Sequence, residues 1–170
     1  MTLAPTHEWI CQQMVEESPI AMIFADRDGV IRLWNRGAEA MFGYQAEEVL
    51  GQTLDFLIPE RHRARHWEGY QRTMETGTTK YGHQVLAVPA ISKGGRRISI
   101  EFNVALLRAS TGEMLGAAAM IQDVTARWER DKALRQRLTA AEAKLQEIGK
   151  PREPEAGNHA AKVNTRGKRA

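Results

Sequence analysis

The segment PERHRARHWEGYQRT, Pro59 to Thr73, gathers three arginines and two histidines into its first eight residues and then turns aromatic. On a helix, His62 and His66 stand four apart and share a face. Trp67, Tyr70 and Met74 form an apolar stripe with His66 at its border, and Arg61, Arg63 and Arg65 fall mostly on the wet side. Neutral imidazole is a metal ligand, and Glu60 or Glu68 could extend the set. A tight site wants three or four ligands, however, and nothing in this spacing specifies their geometry. A run of arginines can grip nucleic acid, but a helix with an apolar stripe toward a core and its charges outside is not a recognition surface. Two readings stay open: a histidine at the rim of a pocket, or a histidine that hydrogen-bonds within its own fold while HWEGY only packs.

The rest of the chain narrows the classes. It shows no phosphate-binding glycine loop, no nucleophile–base constellation and no kinase, cyclase or phosphodiesterase motif, so the expectation is a non-enzyme. The longest apolar run falls far short of the roughly 18 residues of a membrane span, and no charged-then-apolar leader opens the chain. The single cysteine, Cys11, can form no internal disulfide and reads as small apolar filler on a helix; together these features fit a cytoplasmic protein. The 170 residues, 42% of them hydrophobic, suit one domain with extensions. Residues 149–170 hold six basic and two acidic side chains, a surplus of four positive charges. The whole chain is +3, so the remainder sums to −1, and the domain itself is not a basic nucleic-acid binder.

The elements that must position the histidines follow from periodicity and turns. THEWICQQMVEE reads as a short amphipathic helix with Trp9, Ile10 and Met14 as its apolar residues. SPIAMIFADRDGVIRLWN is a hairpin turning at Asp28-Gly29. Asn35 caps a helix that stops near Gly43, QAEEVLG is a further helical turn, and TLDFLI leads through Pro59 into the long helix, which ends near Gly77. RISIEFNVAL alternates as a half-buried strand, with Ile98, Ile100, Phe102, Val104 and Leu106 on one side. Its hairpin partner is HQVLAVPAI, where Pro89 implies an edge position or a bulge. EMLGAAAMIQDVT is a last strand whose run Gly116 to Ala119 leaves room on its inner face. Beyond it Leu134, Leu138, Ala141, Leu145 and Ile148 recur at 4, 3, 4, 3, a heptad seam barely two heptads long.

Strand, strand, short helices, long helix and three strands, with Trp34-Asn35, AEAMFGY, EEVLGQ and DVT in that order, resemble the PAS family of sensory domains over about residues 18–126. The resemblance implies an α+β fold: a five-stranded antiparallel sheet with helices on one face. It divides the chain into an N-terminal amphipathic helix (1–17), the PAS domain (18–126), a C-terminal helix with a coiled-coil seam (127–148) and a disordered basic tail (149–170). It implies a sensory module that binds a small ligand or cofactor and relays the event through its terminal helices. The expected partners are a second copy of the chain and a signalling protein such as a kinase, a cyclase or phosphodiesterase, or a transcription regulator. A cofactor-free dimerisation or adaptor module is the alternative.

The sharpest ligand that the resemblance offers is haem b. Haem PAS domains of bacterial oxygen-sensor kinases and phosphodiesterases place the proximal histidine seven residues after a proline, which here is His66 after Pro59. Six residues further, where those kinases contact a propionate, stands Arg72. Trp67 and Tyr70 would line the same pocket. On the distal side, where such sensors carry arginine or methionine, this chain has Gln84 and Leu86, expected to share an inward face with Val88. His83 would point away from that face. Leu86 offers oxygen no polar contact, so carbon monoxide, nitric oxide or redox sensing fits as well. Photoactive flavin is set aside, because that subset needs a reactive cysteine on a central helix and Cys11 lies outside the core.

Overall fold

The computed structural model describes residues 4–79 and 84–148; the expected tail and His83 lie outside the described residues. The described residues divide into two units, the first running to Asp131 and the second beginning at Lys132.

The first unit opens with α1 (His7–Glu16), whose start is held by the Thr6 hydroxyl accepting from the Trp9 amide. Strands β1 (Ala21–Asp26) and β2 (Ile31–Trp34) form the expected hairpin. The Asp26 carboxylate accepts from the amides of Asp28 and Val30 across the turn. Helix α2 (Arg36–Phe42) ends at Gly43 in the left-handed conformation, φ 80°, and α3 (Ala46–Val49) follows. A 3-10 turn, Leu54–Leu57, leads into α4 (Glu60–Thr76). Strands β3 (Leu86–Ile91), β4 (Arg97–Arg108) and β5 (Met114–Asp123) complete an antiparallel sheet of order β2-β1-β5-β4-β3. Pro89 thus sits in an edge strand, where its missing N–H costs the sheet no ladder bond.

The core packs under the β1–β2 end of the sheet: Ile23, Ile31, Trp34, Ala38, Phe42 and Val49 are all buried. Asn35 is fully buried and does more than cap α2. Its Oδ1 accepts from the amides of Ala38 and Met22, and its Nδ2 donates to the carbonyls of Val15 and Ile20. One side chain therefore ties the end of α1, the start of β1 and the start of α2, and leaves few of its own polar groups unpaired.

Helix α5 (Thr125–Ile148) begins in the first unit and continues into the second. Its first turn is anchored by the Thr125 hydroxyl accepting from the Ser99 amide and by an Arg127–Glu101 ion pair. Further along, Leu134, Leu138 and Leu145 of the seam are exposed. No helix among the described residues is long and apolar enough to cross a membrane.

Candidate functional site

The inner face of the sheet is not evenly covered. Ile98 and Ile100 are buried, but Phe102, Val104 and Leu106, next along the same face of β4, are only half-buried. Their neighbours Leu86 and Val88 on β3 pair with Phe102 and Ile100, and Val88 is 41% exposed. Small Ala117 and Ala119 on β5 stand opposite Leu106 and Val104. Among the 17 residues of the long helix, Met74 is the one buried side chain. A half-buried apolar wall of this kind is a surface on which a small ligand could be held.

Besides Met74, three side chains of α4 turn inward. Tyr70 reaches β1, its hydroxyl 2.6 Å from the Asp26 carbonyl and 3.0 Å from that of Ala25. Burial first, then the Asp26 carboxylate, push its phenol up to about 12, against a contribution from the Ala117 amide, so it remains a donor. The room left by the small residues of β5 is thus met, at Ala117, by Tyr70. Trp67 donates its Nε1 to Asp55 Oδ1 at 2.7 Å. Its ring lies against the hairpin turn so closely that a Cβ on Gly29 would stand 2.2 Å from Cζ3.

His66 sits between them, stacked on Tyr70 at 6.0 Å between ring centroids and edge-on to Trp67 at 5.0 Å. Its Nδ1 is buried and, among the described residues, has no hydrogen-bond partner. Burial lowers its pKa below the ordinary 6.5, with the Asp55 carboxylate opposing, so the ring is neutral at pH 7. A buried ring nitrogen without a partner is costly to keep and needs a reason.

The other expected site residues stand differently. His62 accepts from Arg61 Nε at 3.1 Å on the exposed side, so the histidine pair does not converge. No group of three or more His, Cys, Asp or Glu suited to a metal ion occurs among the described residues. Arg72 is exposed and bonds Glu68 at 2.8 Å instead of turning inward. Six residues on from His66 carry it about 240° round the helix. Gln84 is exposed because it precedes the first paired residue of β3, so strand alternation does not set its direction. Val88, expected to face inward, shares the inner face of Leu86 but remains uncovered there. Leu86 is half-buried on that face.

Sequence reasoning missed Asp55, which ties Trp67 and Arg63 of α4 to the 3-10 turn. It accepts from Trp67 and from the Thr53 hydroxyl, and its backbone carbonyl accepts from Arg63 Nε. The Trp67 bond, working against burial, holds its carboxyl below the usual carboxylate range. The signal was present as Thr53-Leu54-Asp55, a side chain pair at a helical-turn start.

Comparison with known proteins agrees with this architecture. The family model described as PAS fold matches residues 15–129. The chain is 34% identical over 109 residues to the sensor protein FixL of Bradyrhizobium diazoefficiens, covering 64% of this chain and 20% of that one. It is 24% identical over 128 residues to the oxygen sensor protein DosP of Escherichia coli, covering 75% of this chain and 16% of that one. It therefore spans about a fifth or less of the length of these curated relatives. The crystal structure of a PAS domain from Colwellia psychrerythraea superposes with a TM-score of 0.60 at 21% identity, covering 69% of this chain and 96% of that one. The matched span takes in the whole sheet and α4, and on that ground the chain belongs to the PAS fold family, as a sensory signalling module.

Proposed function

We propose that this PAS domain takes haem b into the cleft between α4 and the inner sheet face, with His66 as the ligand to iron. The observation that carries the reading is the buried, partnerless Nδ1 of His66. The lowered pKa keeps the ring neutral, as a metal ligand must be. Haem, when bound, supplies an iron that takes up a diatomic gas or changes oxidation state. Trp67 and Tyr70 fix the helix against β1 and its turn, and the apolar Phe102, Val104 and Leu106 wall excludes water from the ligand face. Arg72 plays no part while it is paired with Glu68. With Gln84 exposed and Leu86 apolar, the site suits carbon monoxide, nitric oxide or a redox signal as well as oxygen. DosP is by its name an oxygen sensor, which supports a gas or redox input without choosing between them.

The output in this proposal is binding, not catalysis. The terminal helices pass the state of the cleft to a cytoplasmic signalling partner, a kinase, a cyclase or phosphodiesterase, or a transcription regulator. Self-association falls to α1, whose Trp9, Ile10 and Met14 are 53%, 41% and 69% exposed.

A cofactor-free adaptor is the second reading, favoured by a separate observation: the polar atoms of Trp67 and Tyr70 are already spent on Asp55 and β1. The test is purification with haem supplied, followed by His66→Ala and His62→Ala. A Soret band lost in the His66 variant, kept in the His62 variant and restored by added imidazole is the expected result. Unchanged haem uptake by His66→Ala would remove the iron-ligand role.

A further inference from the structure

Helix α5 carries an apolar stripe that is open to solvent, with Leu134, Leu138 and Leu145 exposed by 61%, 61% and 69%. With Ala141 between them, their 4, 3, 4 spacing is that of a helix-pairing seam. The flanks of that seam indicate what can cover it. With Leu138 and Leu145 at a and Leu134 and Ala141 at d, the ionic e and g positions are Arg130, Arg135, Arg137, Glu142 and Lys144. Four of the five are basic.

A second copy is a poor occupant. In a parallel pair each g residue meets the partner's following e residue. Arg137 would then meet Glu142, which is favourable, but Arg130 would meet Arg135, which cancels it. Asp131, at the preceding a position, would face its own copy within the seam. In an antiparallel pair with the seam in register, e meets e and g meets g: Arg135 attracts Glu142, but Arg137 repels Lys144, and the two cancel. A helix with glutamate at e and g instead gains four attractive pairs and one repulsive pair. The residues that follow the seam, six basic against two acidic, carry the same sign.

We propose that the α5 seam is a docking site for an amphipathic helix with acidic flanks on a partner protein. The inference deepens the relay proposed above by naming the partner's chemistry, and it does not rest on what the cleft under α4 holds.

The experiment titrates the full chain into two labelled synthetic helices with the same leucine seam, one bearing Glu and one Lys at every e and g position, and follows anisotropy. The Glu helix is expected to bind about tenfold more tightly, as three net surface ion pairs allow, with the advantage shrinking at high salt. Arg130→Glu with Arg137→Glu, which leaves the seam intact, should reverse the preference. Leu138→Glu with Leu145→Glu, checked for folding by circular dichroism, should abolish binding. Equal binding of the two helices, or no binding of either, would overturn the proposal. So would a dimer of the chain alone, seen by sedimentation, that the leucine variant dissolves. These variants touch none of the residues around His66, so their haem uptake should match the wild type, and failure here is distinguishable from failure of the His66 reading.

Discussion

His66 and Asp55 are the two residues on which the chemistry of the site turns, and both tie stability to pH in the same direction. The folded pKa of His66 is depressed, so the unfolded chain binds its proton more readily. The contribution is present above the ordinary value of 6.5 and is lost as pH falls from there toward the lowered folded value. Asp55, also depressed, contributes above its ordinary 3.8 and loses that contribution as pH falls further. Urea midpoints should therefore drop between pH 7 and pH 5 in the wild type, and His66→Leu should flatten that slope. An equal slope in the variant would place the pH dependence elsewhere. Asp55→Ala leaves the Trp67 indole without its acceptor and should cost about 1–2 kcal/mol, while Asp55→Asn, which keeps an oxygen in place, should cost less. Equal losses in urea unfolding would show that the hydrogen bond is not what holds Trp67.

At the scale of elements, α4 is held to the 3-10 turn by Trp67 and Arg63 and to the β1–β2 hairpin by Tyr70 and Trp67, and Gly29 makes room for the Trp67 ring. Its φ of +77° is one that side chains rarely adopt, and an added Cβ would meet the Trp67 ring at 2.2 Å. Gly29→Ala should destabilise the domain by at least about 1 kcal/mol and change the near-ultraviolet signal of Trp67. An unaltered tryptophan signal would mean that the helix does not rest on the turn. Local chemistry made the elements legible in the sequence. Asp28-Gly29 announced the hairpin, Asn35 and Gly43 bounded α2, and strict alternation marked β4. Directions set by tertiary placement were not legible. Arg72 faces solvent because of where α4 lies, Gln84 escapes alternation by preceding its strand, and the bond from Asn35 to Val15 spans 20 residues. Asp55 became a site residue only when the 3-10 turn was folded against α4.

For the whole molecule, the fold provides a packed end at β1–β2, a half-buried apolar wall at β4, and helices at both ends of the PAS core. If α1 carries self-association, Trp9→Glu with Met14→Glu should turn a dimer into a monomer by light scattering. A wild type that is monomeric at high concentration would end that assignment. At this scale the proposal is a haem held by His66 within the PAS core. Its most direct test is a titration of the purified, haem-free full chain with haemin, followed at the Soret band. The expected result is a sharp breakpoint at about one equivalent, with the band retained through desalting, as a pre-formed histidine-ligated site would give. A gradual rise without a breakpoint, with haemin lost on desalting, would contradict the account and leave His66 as a packing residue of a cofactor-free module.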